Sequence, residues 1–407
     1  MYQYFETLHQ TWAPWRASAL ALQKQSPALY ANPYLPPAVA NTMLAGNRLF
    51  ERLTRRYEKP AMGLDWTIVD GAETAVTEET VLSKQFCSLV HFRRAVAGAD
   101  PRVLIVSPMS GHFASLLRGT VEALLPEHDI YVTDWANARD VPLSSGSFDL
   151  DDYIDYMLEF LRFLGPNTHV LGVCQGAVPG LAATSLLAAE GSAAQPASVV
   201  LMAGPIDGRV NPTAVNDFAT SHGIDWFERN MVDLVPQGHA GAGRRVYPGF
   251  LQLGSFMSMN IASHVGAHLR YVEDLIEGEA AAVDVHERFY DEYFSVMDLT
   301  AEFYVQTVES VFQRFDLARG EMTHRGRPVE PAAVSRTALM TIEGERDDIS
   351  GIGQTFAAQA LCSNLGSGMR THHLQAHAGH YGVFSGRHWR QEIMPRVRDF
   401  IRSHDQG

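Results

Sequence analysis

The first 60 residues carry apolar side chains at the spacing of a helix. Two groups of large apolar residues follow this spacing: Leu8, Trp12 and Trp15, then Leu20 and Leu22. The Pro-rich run 32–37 interrupts the pattern, and a second helix is predicted over residues 38–57. We therefore expect residues 1–65 to form a helical extension ahead of the main domain.

From residue 66 the pattern changes to short β-type runs that alternate with helical segments. Runs at 80–83 and 86–92 predict an opening hairpin. Further runs are apolar almost throughout and predict buried strands: 103–107, 130–133, 168–173 and 198–203. Helices are predicted between them: 113–125, 153–164 and 177–189. Strands of this kind are typical of a mostly parallel sheet covered by helices on both faces, so the fold class is α/β.

The alternation stops at Gly204 and resumes with an apolar strand predicted at 337–342. Residues 205–334 instead repeat aromatic and Met positions, which predicts packed helices. We interpret this segment as a cap inserted into one core domain, whose two parts are then residues 66–204 and 335–407. The alternative is an independent second domain with its own function.

One turn, between strand 168–173 and helix 177–189, carries a chemical signature. It contains Gly172-Val-Cys-Gln-Gly176, the G-x-S-x-G pattern of the α/β-hydrolase nucleophile with cysteine in place of serine. In such a turn the nucleophile has a strained backbone, and the flanking glycines remove Cβ atoms that would collide. The side chain lies at a helix N-terminus, which favours a developing anion. Cys174 is therefore the candidate nucleophile, the alternative being one more small buried residue.

The candidate acid follows the strand predicted at 337–342. In α/β hydrolases the acid and the histidine follow the nucleophile along the chain, on loops after later strands. Asp347 lies on such a loop, and Ile349 two residues later can anchor it. Asp348 and Asp207 remain alternatives, since Asp207 also follows a predicted strand.

The candidate base follows the next predicted strand, 370–374. His380 lies in a Gly-flanked turn, and His377 is expected to support it without touching substrate. Several histidines cluster here: His372, His373, His377, His380 and His388. His373 and His377 have the i, i+4 spacing of a zinc pair, but that spacing binds zinc on a helix and this segment alternates like a strand. We expect no metal.

Acyl transfer also needs two backbone donors for the tetrahedral oxyanion. One is the N–H of Gln175, directly after the candidate nucleophile. The other is expected from Met109 or Ser110, in the tight turn after strand 103–107, and the sequence leaves open which of the two supplies it.

Composition limits the partners. The net charge of −14 and the lack of any basic block argue against nucleic acid or an anionic membrane surface. No run of about 18 apolar residues predicts a transmembrane helix. The cysteines are odd in number and form no C-x-x-C pair, which favours a reducing compartment and predicts a cytoplasmic protein: Cys87, Cys174 and Cys362. A homo-oligomer is left open.

The sequence resembles the intracellular poly(3-hydroxybutyrate) depolymerases over nearly the whole chain. The resemblance rests on long segments: 1–4, 107–112, 134–143, 172–176, 204–207 and 247–250. It implies an α/β hydrolase bound to storage granules that cleaves the polyester through a Cys-Asp-His triad, which maps onto Cys174, Asp347 and His380. Polyester synthases share the fold and the cysteine, but their acid loop typically reads Asp-His, and here Asp347 is followed by Asp348. That difference favours a depolymerase.

Three functional alternatives follow. The first is a depolymerase whose acyl-cysteine is released by water or by CoA, with no other cofactor expected. The second is a synthase-like acyltransferase, and the third is a non-catalytic granule-associated protein with a hydrolase fold. Because no charge attracts the chain to a granule, adsorption would need apolar area, and residues 247–259 offer it. The candidate contacts are Phe250, Leu251, Phe256 and Met257, the alternative being that they form the core of the cap.

Overall fold

The structure, a computed structural model, describes residues 1–96, 98 and 100–406. Its strands are β1 (Trp66–Val69), β2 (Ala72–Ser83), β3 (Cys87–Arg94), β4 (Arg102–Val106), β5 (Asp129–Trp135), β6 (Thr168–Val173), β7 (Ser198–Met202), β8 (Asp233–Leu234), β9 (Arg245–Tyr247), β10 (Leu299–Thr300), β11 (Thr323–His324), β12 (Arg327–Pro328), β13 (Ala338–Gly344) and β14 (Arg370–Gln375).

Within these residues, nine strands form one sheet in the order β1-β2-β3-β5-β4-β6-β7-β13-β14. The first three strands are antiparallel, and β3 also pairs antiparallel with β5. From β5 onward all neighbours are parallel. Parallel strands end at the same edge, so the loops after β4, β6, β13 and β14 lie side by side.

The α-helices are α1 (Tyr2–Lys24), α2 (Ser26–Tyr30), α3 (Pro37–Thr54), α4 (Arg118–Leu124), α5 (Leu150–Leu164), α6 (Ala177–Ala189), α7 (Ala214–Thr220), α8 (Ile224–Met231), α9 (Gly249–Met259), α10 (Ile261–Glu277), α11 (Ala280–Tyr293), α12 (Ala301–Thr307), α13 (Asp316–Arg319), α14 (Ala358–Leu361), α15 (Gly386–His388) and α16 (Met394–His404). Two π-helical segments extend helices: Val308–Gln313 and Trp389–Ile393. Short 3₁₀ turns complete the chain: Ala114–Leu117, Ala138–Asp140, Leu143–Ser145, Cys174–Gly176, Pro331–Ala333, Ser367–Met369 and His380–Val383.

Alternate residues of the central strands fill two cores, one on each face of the sheet. In β4, Leu104 and Val106 join one core, whereas Val103 and Ile105 join the other. Helix α6 packs directly behind the candidate nucleophile, and its side chains from residue 177 to 187 are buried. A sheet covered on both faces confirms the predicted α/β fold class.

Residues 205–334, here called the helical insert, contain α7 to α13 and the small strands β8 to β12. Helices of residues 1–65 pack on this insert: Asn41 Nδ2 donates to the Ile276 carbonyl at 3.0 Å, and Arg52 pairs with Asp291 at 2.7 Å. The apolar positions that predicted α1 are not a buried face, since Trp12 and Trp15 stay exposed. No helix of the described chain has the length and apolar character needed to cross a bilayer.

Most predicted elements occur, with shifted ends. The hairpin is β2 with β3, but β2 is longer than predicted, and it is preceded by β1, which the sequence pattern did not predict. The helix predicted at 38–57 ends at Thr54. Helix α5 starts at Leu150 because Asp149 and Asp152 form a capping box.

Candidate active site

Cys174 directly follows β6 and has the strained backbone that the turn predicts. Its φ is +51°, in the left-handed region that non-glycine residues rarely occupy. A Cβ on Gly176 would lie 2.6 Å from the Val106 carbonyl oxygen, and one on Gly172 would lie 3.0 Å from the Ala177 backbone. Both glycines are therefore needed where the turn passes β4 and enters α6. The turn leaves the Cys174 side chain partly accessible in a cavity.

Asp347 and His380 form a buried hydrogen-bonded pair. His380 Nδ1 donates to the two Asp347 carboxylate oxygens at 2.9 and 3.0 Å. Asp347 Oδ1 also accepts the backbone N–H groups of Ile349 and Ser350 at 2.9 and 2.8 Å. The carboxylate is fully buried. These bonds fix the imidazole with Nδ1 toward the acid and leave Nε2 free for another partner.

Two neighbouring loops bring this pair together because β13 and β14 are adjacent and parallel. The Arg346 N–H donates to the Ala378 carbonyl at 2.8 Å, and the Glu345 N–H donates to Gln375 at 2.9 Å. A Cβ on Gly344 would lie 2.6 Å from the Ala378 oxygen, so only glycine permits this approach. The local sequence thus sets the distance between acid and histidine.

The charges of the site act on His380. Its burial disfavours the imidazolium, but the negative charge of Asp347 and the hydrogen bonds to it outweigh burial, and the pKa of His380 is held well above its usual value. The other two thiols differ, because burial raises the pKa of Cys87 and brings that of Cys362 to about 12. Those two cysteines are kept protonated and lie in the hydrophobic cores.

The alternative carboxylates have other partners. Asp348 accepts a hydrogen bond from Asn260 at 2.9 Å, and Asp207 pairs with the Arg209 guanidinium at 2.8 Å. The expected supporting role of His377 is wrong: its side chain is 68% exposed and pairs with Glu345 at 3.1 Å.

The other clustered histidines are also dispersed. His372 bonds the Thr341 hydroxyl at 3.0 Å, His373 bonds Gln375 at 2.9 Å, and His388 pairs with Glu392 at 2.9 Å. In β14, residues 372 and 373 point to opposite faces, which separates their rings. No group of three or more metal-binding side chains is found among the described residues.

The turn after β4 is fixed at its base. The Ser107 carbonyl accepts hydrogen bonds from the Trp135 indole at 3.0 Å and the Tyr153 hydroxyl at 2.8 Å. Met109 and Ser110 follow and line the same cavity as Cys174 and Gln175. Within the described chain, the backbone N–H groups of Met109 and Ser110 donate no hydrogen bond. The structure thus brings both candidate donor segments to the candidate nucleophile.

The cavity has a volume of about 420 Å³ and is lined by Cys174 and His380. Its remaining wall is largely aromatic and aliphatic and comes mainly from the helical insert: Phe218, Phe227, Tyr247, Phe256, Phe303, Tyr304, Val308 and Phe312. Tyr381, next to His380, completes the wall. The wall beside the thiol is therefore largely apolar.

Of the candidate polymer contacts, Phe256 lines the cavity, but Phe250, Leu251 and Met257 do not. The ring of Phe250 instead stacks on Phe5 of α1, with the centroids 4.1 Å apart, which favours the alternative that this residue packs within the fold. Leu251 packs against the core of the sheet. Helix α9 therefore turns only part of its surface toward the cavity, and the side chain of Met259 lies outside the described part of the chain.

Two residues of the site were missed by sequence reasoning. Gln252 of α9 lines the cavity and donates from Nε2 to the Ser110 carbonyl. His112 is buried and donates from Nε2 to the Tyr293 carbonyl at 3.1 Å. The sequence did contain a signal for Gln252, since this residue has the one amide side chain in the largely apolar run 249–259.

The strand order and the strained turn after the central strand β6 are those of an α/β hydrolase. Comparison with protein families makes this more specific, because residues 203–405 match the family model described as PHB de-polymerase C-terminus. Through this match the chain belongs to the PHB depolymerase family, a family of ester hydrolases. No curated protein matches the chain significantly.

Solved structures with a similar fold include further hydrolases. A putative lipase from Acinetobacter baumannii AYE is 11% identical, with 81% of this chain and 93% of that chain covered and a TM-score of 0.42. A thermophilic esterase from Thermogutta terrifontis is 13% identical, with coverages of 84% and 97% and a TM-score of 0.41. The α/β hydrolase GrgF from Penicillium sp. sh18 is 15% identical, with coverages of 82% and 99% and a TM-score of 0.45.

Proposed function

We propose that this protein hydrolyses the ester bonds of poly(3-hydroxybutyrate) through an acyl-cysteine intermediate. Cys174 is the nucleophile, His380 the general base and Asp347 the residue that orients the base. The observation that carries the proposal is the buried Asp347–His380 pair, 2.9 Å apart, whose imidazole lines the same cavity as the strained Cys174. An oriented base beside a nucleophile is the arrangement that acyl transfer requires.

In the acylation step, the Cys174 sulfur attacks the ester carbonyl carbon and the thiol proton passes to His380 Nε2. The carbonyl oxygen becomes an oxyanion, which the N–H of Gln175 and an N–H of Met109 or Ser110 stabilise. When the tetrahedral intermediate collapses, the C–O bond breaks. The departing chain takes the proton from His380 and leaves as an alcohol, and a thioester remains on Cys174.

In the release step, water attacks the thioester carbonyl and gives its proton to His380. The carbon–sulfur bond then breaks, the free acid departs, and the thiol is regenerated as the proton returns to sulfur. A CoA thiol in place of water would yield an acyl-CoA by the same sequence. No bound metal or redox group is required in either case.

The cavity wall supports an uncharged aliphatic substrate. The side chains around Cys174 are mostly aromatic or aliphatic, with Phe256, Phe303 and Tyr304 among them. An aliphatic polyester segment offers methyl and methylene groups to such a wall, at about 25 cal/mol per Å² of apolar area removed from water. A charged substrate would lose its hydration here without an opposite charge to replace it.

An exposed apolar stripe next to the cavity supports adsorption to a water-insoluble polymer. Ile261, Val265 and Leu269 occur every four residues along α10 and are 63%, 53% and 62% exposed. The stripe begins directly after α9, whose Phe256 lines the cavity, and beside Asn260, which bonds Asp348 next to the candidate acid. It replaces residues 250 and 251 as the surface that we propose to contact the granule.

The test is the first soluble product formed from amorphous polymer particles. The proposal predicts free 3-hydroxybutyrate or its short oligomers, formed without added cofactor and abolished when iodoacetamide alkylates the enzyme. If product appears only when CoA is added, as acyl-CoA, then CoA replaces water as the acyl acceptor, and the acyl-cysteine intermediate is retained. Polymer synthesis from 3-hydroxybutyryl-CoA without polymer breakdown would identify a synthase instead. Particle binding with no ester cleavage would leave a granule-coat protein.

A further inference from the structure

Two hydrogen bonds from the helical insert hold the turn that carries Met109 and Ser110. Two successive carbonyl groups of the turn accept them. Gln252 Nε2 donates to the Ser110 carbonyl. The backbone N–H of Met297 donates to the Gly111 carbonyl at 2.6 Å. One side of the turn is therefore fixed by the sheet, and the other side is fixed by the insert.

Gly111 lies at the point where the turn meets the insert. Its φ is +100°, a conformation that glycine alone adopts readily. A Cβ at this position would collide with the Gln252 side-chain amide, so the two residues are in close contact. Gln252 is itself only 8% exposed, and it lies in the cavity wall.

The next residue adds a third attachment, which is maintained near pH 7. His112 donates from Nε2 to the Tyr293 carbonyl at 3.1 Å, at the C-terminal end of α11. Burial lowers the pKa of His112 to about 4, so the ring stays neutral near pH 7. Among these attachments, the Gln252 bond lies nearest the candidate donors and comes from a side chain, so it can be removed without changing the backbone.

We propose that Gln252 is a positioning residue that holds the oxyanion donors of the turn in their working orientation. This inference rests on the proposed function, because it concerns the oxyanion of the same acyl transfer. Fixing the Ser110 carbonyl fixes the peptide plane that follows the candidate N–H of Ser110. The donors matter when charge develops on the substrate oxygen, so the effect falls on the transition state rather than on substrate binding.

The test compares Gln252→Ala and Gln252→Met with Gly254→Ala, using a soluble 3-hydroxybutyrate ester. Methionine retains the side-chain length but cannot donate, and Gly254 lies on the same helix with open space around it. Both Gln252 variants should lower kcat by about 10-fold to 100-fold with KM within about twofold, since a small misplacement of a catalytic group costs this much. Gly254→Ala should match the native enzyme.

A second readout separates positioning from collapse of the site. A short aliphatic aldehyde takes up the Cys174 sulfur at its carbonyl carbon, the thiol proton passes to oxygen, and that oxygen occupies the oxyanion position. Its affinity should fall by the same factor as kcat. Iodoacetamide alkylates Cys174 by displacing iodide without forming an oxyanion, so that rate should stay within about twofold of the native rate.

Three outcomes would overturn the inference. Native kcat in Gln252→Met would show that the side chain only fills space. Unchanged aldehyde affinity with reduced kcat would place its role outside the oxyanion site. An alkylation rate that falls as far as kcat, together with a lower melting temperature, would show general disruption. If instead the native protein cleaves no ester although Cys174 alkylates readily, the proposed function itself fails.

Discussion

The sheet edge and the helical insert meet at one cavity, and they hold their residues in different ways. At the sheet edge, the loops after β6, β13 and β14 carry Cys174, Asp347 and His380, and parallel pairing brings them together. In the insert, the residues at the cavity are placed by helices that pack on distant parts of the chain. The candidate reacting groups therefore depend on topology, whereas the cavity wall and the turn contacts depend on packing. The predictions below separate these two contributions.

Replacing Cys174 with alanine should have the largest effect. Turnover of both polymer and soluble ester should fall by at least about 10⁴-fold, because no covalent intermediate can form. The melting temperature should change little, since alanine also fits a small, partly exposed site. Cys362→Ala is the matched control, and kcat is measured for both variants. Inactivation by Cys362→Ala with an active Cys174→Ala would remove the sheet edge from the mechanism.

Asp347→Asn should lower kcat by about 10³-fold to 10⁴-fold with the fold preserved. The asparagine amide favours the wrong imidazole tautomer and cannot stabilise the imidazolium. Asp348→Asn should change kcat by no more than about twofold, because Asp348 is bonded to Asn260 and not to the imidazole. Equal losses at both positions, or a larger loss in Asp207→Asn, would assign the acid to another loop.

Substitutions in the exposed apolar stripe of α10 test the contribution of the insert. Changing Ile261, Val265 and Leu269 to serine should weaken adsorption to amorphous polymer particles, measured by co-sedimentation, while kcat for a soluble ester stays within about twofold. If each side chain buries roughly 40 Å² on the polymer, the three together contribute about 3 kcal/mol, or about 100-fold in affinity.

The matched control changes three other exposed apolar side chains outside α10 and α11 to serine: Leu143, Phe163 and Leu374. These changes should leave adsorption unaltered. Equal weakening by both sets would show non-specific adhesion. Loss of soluble-ester turnover in the stripe variant, with a lower melting temperature, would show that α10 supports the fold of the insert.

The smallest expected effect concerns pH. The raised pKa of His380 means that its imidazolium stabilises the folded protein. This contribution is fully present below the unfolded-state pKa of about 6.5 and is lost as pH rises through the folded-state pKa. The difference in free energy of unfolding between the native protein and His380→Asn, measured with urea, should therefore shrink as pH is raised. A difference that is constant or grows with pH would contradict the assigned charge interaction.

The sequence predicted the sheet edge well because few physical rules determine it. A strand pattern, a Gly-flanked turn and the order of the chain were sufficient to select Cys174, Asp347 and His380. In the structure Cys174 and His380 line one cavity, and Asp347 is hydrogen-bonded to His380. The choice of Asp347 over Asp348 needed only the neighbouring Ile349, whose backbone N–H the carboxylate accepts.

The insert could not be predicted in the same way. Phe250 looks like a polymer contact in sequence, but its ring stacks on Phe5, which no periodicity connects to α9. The bond between Gln252 and Ser110 joins residues 142 positions apart. Such contacts depend on how the helices pack, and a pattern of apolar positions shows only that each helix has a face to bury.

The central claim is that an acyl group passes through Cys174, and trapping that group tests it most directly. The enzyme is mixed with saturating soluble 3-hydroxybutyrate ester, quenched in acid during turnover, digested and analysed by mass spectrometry. The account predicts a hydroxylamine-labile 3-hydroxybutyryl group on the peptide that contains Cys174. An acyl group on any other residue, or full turnover by enzyme whose Cys174 is completely alkylated, would contradict it.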